Sequence, residues 1–287
     1  MTITTAPDAL STGVAGSQTP LDLPPDHGAS FLTTTTATAR RTVLQFFRSP
    51  QLLVMGTVQG ALFLFMFRYV FGGAISTGGA INYVDFLVPG FLVTTVLWTG
   101  MSAAAGVAED STTGVYDRLR SLPIPRSAVM LGRAIADTIL VSWGLLITGM
   151  LGFILGFRTH ASLGPILLAL ALMVLCGFAC TWVFIFLGLV SGSAQAAQGL
   201  SMLVIPFSFV SSANVPIRSM PGWMQPFAAN QPITVFINAT RSLMQGGTDV
   251  VGIDHTTTYW VILSLIWAGG ITAVFAALCV ARFSRTK

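Results

Sequence analysis

The sequence predicts an all-α polytopic membrane protein with six transmembrane helices. Three observations lead there. The 287 residues are 53% hydrophobic and only 8% charged, against roughly 25% charged residues in a soluble domain, so there is too little charge to clothe a water-facing surface. Six stretches approach the ~20 apolar residues that a bilayer crossing requires. The basic residues cluster beside those stretches and on one side of them, the bias of a cytoplasmic membrane face.

Taken in order, residues 1–30 are rich in Thr, Pro, Ser and Gly, with Asp8, Asp22 and Asp26. No basic segment followed by an apolar core occurs there, so the stretch reads as a disordered cytoplasmic tail rather than a secretory signal. Residues 31–50 change character. Arg40, Arg41 and Arg48 neighbour Val43, Leu44, Phe46 and Phe47, the composition of an amphipathic helix lying in the membrane interface, and Pro50 is expected to end it. The transmembrane domain occupies 51–287. Its expected spans are Leu52–Phe71, Phe86–Val107, Ala128–Gly156, Leu163–Val190, Ala196–Ser212 and Thr258–Ala281. The fifth is short and contains Pro206; the third starts in the cytosol, because Arg133 and Asp137 sit in its first turns. Gly56 and Gly60 form a small-residue motif in the first span that permits close helix approach.

Orientation follows from placing both termini in the cytoplasm. Arg40, Arg41, Arg48, Arg118, Arg120, Arg126, Arg133, Arg282, Arg285 and Lys287 then lie inside, and only Arg68, Arg158, Arg218 and Arg241 lie at or beyond the outer face. The same placement argues against nucleic acid as a partner, since the arginines flank apolar spans instead of lining one polar face. The segment 213–247 is too rich in proline to span and too apolar for a solvated loop. It is expected to form an outer re-entrant hairpin of two short helices, because irregular backbone at membrane depth needs a protein or water cover.

The densest charge sits in the connector 109–127, "EDSTTGVYDRLRSLPIPRS". Gly114 can break the helix of the preceding span. Val115, Leu119 and Leu122 recur with helical spacing, while Asp117, Arg118 and Arg120 decorate the remainder. Two readings stand on these residues: a solvated turn, or a short helix with a greasy edge and a charged rim on which a soluble partner docks. Arg133 and Asp137, four residues apart, are expected to pair along one helix, with a latch to the interface helix as the alternative. Arg68 and Asp85 flank the first outer loop, where they could pair across it or Arg68 could snorkel outward.

Catalysis by this chain is not expected. A P-loop needs a lysine beside the phosphates, and Lys287, the last residue, is the single lysine. "LVSGSAQ" at 189–195 looks like a nucleotide-domain signature loop but joins two spans. His27, His160 and His255 are scattered, and Cys176, Cys180 and Cys279 read as free thiols in apolar runs. No metal site is expected, and the sequon at Asn238 reads as a chance match. The spans lack rings of like charge, so an ion pore is disfavoured. Phe63, Phe67, Phe86, Trp98 and Met101 offer a soft apolar path for cargo.

The chain resembles the permease subunits of ABC-2 type exporters, above all the daunorubicin-resistance permeases of actinobacteria. The likeness rests on Glu109, Asp110 and Gly114 followed by "RLRSLPIPRSAVMLGR", on "VPIRSMPGWMQPFAANQPITVFINATRSL" near the other face, and on the layout of interface helix, six spans and hairpin. It covers about residues 33–285. The resemblance implies that the connector is a coupling helix seated in a separate ATPase subunit through Gly114, Val115, Tyr116, Asp117, Arg118, Leu119 and Arg120. Glu109 and Asp110 would form its hinge, and Arg40, Arg41 and Arg48 would face that subunit or acidic lipid headgroups. It further implies two ATPases that use ATP and magnesium, a second permease copy or homologue, and a bacterial plasma membrane location. The cargo would be a hydrophobic or amphiphilic drug-like molecule or lipid. The alternatives are a polysaccharide or glycolipid exporter, a membrane-embedded enzyme, or a scaffold subunit.

Overall fold

The computed structural model describes residues 29–72, 81–251 and 253–285, so the expected tail lies, up to residue 28, outside the described residues. In chain order the helices are α1 (Phe31–Phe47), α2 (Pro50–Met66, continued by a π-helical turn Phe67–Phe71), α3 (Tyr83–Thr112), α4 (Val115–Ser121), α5 (Arg126–Ile154), α6 (Leu163–Val190), α7 (Ala194–Ser201), α8 (Val204–Phe209), α9 (Gln225–Asn230), α10 (Pro232–Gln245), α11 (Thr248–Val251) and α12 (Thr257–Arg285). No strand occurs among the described residues.

Among the described residues, four helices are long and apolar enough to cross a bilayer: α3, α5, α6 and α12. The first apolar stretch forms the shorter α2 and its π turn. The fifth does not form one rod. It divides into α7 and α8 around a turn at Met202 and Leu203, and Pro206 lies in the second piece.

α3 is the axis of the molecule: 61% of its most apolar window is buried, against 11% for α12 at the periphery. It packs on α5, α6 and α10. Small residues set the closeness of these contacts. A Cβ on Gly188 of α6 would stand 2.6 Å from Ala104 O of α3. Gly60 of α2 faces Thr148 of α5 within this same chain.

Ser30 caps α1, its hydroxyl accepting the Thr33 N–H at 3.3 Å. Pro50 does not terminate α1, which ends at Phe47; it opens α2, where the missing N–H is harmless. The face α1 buries is Thr34, Thr35 and Ala39. These small side chains let it lie along α5 so closely that a Cβ on Gly132 would sit 2.6 Å from Thr35 O. Gly132→Val is therefore expected to lift α1 off α5 at a cost of about 1–3 kcal/mol. The measurement is tryptic cleavage after Arg40 and Arg41, which should quicken; an unchanged rate would show that α1 is held elsewhere.

Charge segregates to the two ends of the bundle. Arg41, Asp110, Arg126, Arg133 and Asp137 lie at the end carrying α4, and Asp85, Arg158 and Arg241 at the end carrying α10.

Candidate functional site

At the first end Gly114 stands in the left-handed region, φ 73°. A residue with a Cβ loses roughly 1–2 kcal/mol there, so glycine lets the chain leave α3 and start α4 without strain. The face α4 buries differs from the expected stripe of Val115, Leu119 and Leu122. Tyr116 is 2% exposed and Leu119 packs beside it, whereas Leu122 is 53% exposed. α4 ends at Ser121 and Leu122 follows in extended backbone, so the helical spacing that would have put it on the stripe stops one residue short.

The buried face of α4 meets the end of α12. The Tyr116 ring meets Phe283 edge-on at 5.4 Å, and the Arg120 guanidinium lies 4.5 Å from the same ring. Arg126, at the start of α5, donates Nη1–H to Ser284 O at 2.9 Å. Burial pushes the Tyr116 phenol above its ordinary pKa. Phe283 thus anchors α4, and sequence reading did not find it; an aromatic among basic residues at a span end reads as an ordinary interfacial anchor. On the far side of α4, Asp117 and Arg118 are exposed, with Asp117 paired to Arg120 at 2.8 Å.

Behind α4 runs a charged chain through three helices. Asp110 of α3 accepts from Arg41 of α1 at 2.6 Å and from Arg133 of α5 at 3.1 Å. Arg133 also binds Asp137 at 2.8 Å and donates to Ala103 O at 3.3 Å. The intrahelical pair and the latch to α1 are therefore both present. Glu109, Arg40 and Arg48 lie exposed, and of the three α1 arginines Arg41 is the one that reaches Asp110. Val115 is half-buried at the start of α4.

The second end is organised by a proline. Pro89 lies inside α3 and cannot donate to the carbonyl four residues back. That carbonyl, Asp85 O, accepts instead from Gln245 Nε2 of α10 at 3.3 Å. One residue on, Phe86 O accepts from Arg241 Nε at 3.0 Å. Arg241 Nη2 donates to Ser212 O at 2.7 Å and Ala213 O at 3.4 Å, and its guanidinium stacks 3.7 Å over the Phe86 ring. The side chain is wholly buried without an ion-pair partner among the described residues, which pushes its pKa down to about 9, so it is a cation at neutral pH. Gly90 completes the fit, since a Cβ there would run into Ala213 O.

α10 is thus a buried plug from Thr234 to Gln245, although half its residues are polar. The sequon residue Asn238 is 3% exposed and bonds Ser212 Oγ at 3.0 Å. The Arg68–Asp85 pair does not form; Asp85 Oδ1 accepts the Arg158 backbone N–H at 2.9 Å. His160 serves this end by bonding Gln245 Oε1 at 2.9 Å.

Between the ends, a cavity of about 470 Å³ lies among α3, α6, α8, α9, α10 and α12. The aromatic residues expected along a cargo path do not form its wall. Phe63 and Phe91 pack edge-on to Trp98 at 4.8 and 5.7 Å, Phe67 and Phe86 are core residues, and Met101 packs on the Ala103–Phe184 cluster.

Residues 33–244 match the family described as ABC-2 type transporter. The chain is 32% identical over 86% of its length to the daunorubicin resistance ABC transporter permease protein DrrB1 of Streptomyces coeruleorubidus, covering 84% of that relative. It is 25% identical over 90% of its length to the probable doxorubicin resistance ABC transporter permease protein DrrC of Mycobacterium tuberculosis, covering 91% of it. It is also 25% identical to the putative transport permease ycf38 of Porphyra purpurea over 77% of each chain. With its apolar helices and these relatives, the chain is an integral membrane protein that belongs to the ABC-2 type transporter family.

Proposed function

We propose that the chain is the membrane subunit of an ATP-driven exporter whose ATPase is a separate polypeptide, and that α4 is the lever on which that ATPase acts. In this reading two permease subunits, copies or homologues, join two ATPases in a bacterial plasma membrane. The α4 end and both termini lie in the cytoplasm, and the α10 end lies outside. At ~1.5 Å per residue, Pro50–Phe71 is about 33 Å long, enough for a crossing. With α7–α8 as a broken crossing covered by its neighbours, the count reaches six, and the segment 213–247 is an outer re-entrant plug. The cargo is a hydrophobic or amphiphilic compound of the class named for the relatives, daunorubicin and doxorubicin.

The observation that carries this reading is the seating of α4. Its inner face is bolted to Phe283 of α12, and Asp110 behind it ties α1, α3 and α5 together, while Asp117 and Arg118 stay exposed. A push on the free face would move four helices as one.

Charge reversal of both exposed residues, Asp117→Arg with Arg118→Glu, is expected to lower ATP-dependent daunorubicin export from vesicles at least tenfold with membrane insertion intact. Phe283→Ala should also lower export while ATP hydrolysis by the complex continues. Undiminished transport in both variants rules out α4 as the lever. Labelling of an Arg118→Cys variant from the periplasmic side would reverse the orientation.

A further inference from the structure

Resting on the reading of the chain as an exporter, we infer that the cavity under α8 and α9 is a binding site for an uncharged, ring-bearing compound of drug size that presents a hydroxyl or N–H donor to Gln231. At about 470 Å³ the cavity falls within the range of small-molecule sites. Phe184 of α6, Phe207 of α8, Phe227 of α9 and Trp267 of α12 contribute to its wall. Phe207, Phe227 and Trp267 are also exposed on the apolar flank of the molecule, so an apolar compound can enter from the side.

One polar group in this wall gives the ligand its chemistry. Gln231 is 6% exposed, and its Nε2 donates to Val210 O at 2.8 Å. That leaves Oε1 as an acceptor without a protein partner. Its neighbour Asn230 is exposed and donates Nδ2–H to Pro226 O at 2.8 Å, so water can satisfy its Oδ1. A bare acyl chain would leave the Gln231 oxygen unsatisfied, which costs free energy at a buried site, whereas a phenol or amide N–H on a ring satisfies it. The wall holds no carboxylate or basic side chain. A charged amine therefore stays outside the cavity, because burying it unpaired is costly.

The test uses the full chain in lipid nanodiscs without any ATPase, with 2-hydroxyanthraquinone and 2-methoxyanthraquinone as probes and dissociation constants read by equilibrium dialysis. The hydroxyl compound is expected to bind about fivefold more tightly, the ratio of one modest hydrogen bond. Gln231→Leu should erase that difference. Val183→Trp and Val204→Trp, which fill the cavity from two helices, should each weaken both probes at least tenfold with an unchanged Tm. Equal affinities in the wild type, or filled variants that keep their melting temperature and still bind, overturn the proposal. So does displacement of both probes by palmitate without any preference for the hydroxyl, which would mark an acyl-chain site. Since binding here needs no ATPase, loss of coupled export would sink the exporter reading alone. A chain that exports normally yet binds neither probe would sink this site alone.

Discussion

Arg133→Met is expected to destabilise the folded chain by about 3–5 kcal/mol, the usual cost of stranding a buried charge. Arg133 has an 8% exposed side chain and neutralises two carboxylates, Asp137 at 4% and Asp110 at 15% exposure. Removing it leaves the buried Asp137 without its cation. It also leaves Asp110 with Arg41 alone, so the tie between α1 and α5 through α3 is cut. The check is thermal unfolding in detergent, where the melting temperature should fall clearly. The companion variant Arg133→Met with Asp137→Leu removes the pair together and should recover much of the loss, because an apolar pair of similar volume fits a buried site as well as ions do. If the double variant is no better than the single one, the loss came from packing and the charge argument fails.

Arg241→Met should release the α10 end. The substitution takes the donors from Phe86 O and Ser212 O, each worth about 1–3 kcal/mol when left buried and unpaired, and it removes a stacked cation. Against this stands the desolvation that a methionine no longer incurs, so a net loss of about 2–4 kcal/mol is expected. Arg241→Lys should rescue little, since one ammonium cannot serve two carbonyls in a forked geometry and also lie flat on Phe86. The readout is tryptic cleavage after Arg218, an exposed residue in the segment that α10 pins, and it should accelerate roughly tenfold. Wild-type cleavage and melting in both variants would mean that the carbonyls find other donors.

These two arginines mark where sequence reading succeeded and where it stopped. Arg133 and Asp137 lie one helical turn apart, so their pairing is legible from spacing. Asp110 joins them only because α3 and α5 run side by side, and no local signal carries that. Arg241 reads from sequence as one more outer basic residue. Its burial depends on carbonyls of Phe86 and Ser212, 155 and 29 positions away, and on Pro89 disturbing the α3 ladder beside them. The fifth apolar stretch also misleads, because hydropathy sums over Ala196–Ser212 without registering the turn that splits it.

By itself the sequence determined that the chain is helical and built for a bilayer, and that a charged connector follows the second apolar stretch. Those properties are sums over local composition, and composition is written in one dimension. Tertiary packing alone decided which face of α4 is free, that Phe283 holds it, that α10 is buried, and where a cavity remains. Each of these depends on groups distant in the chain meeting in space, where a buried charge or carbonyl has a low energy only when its partner arrives from another helix.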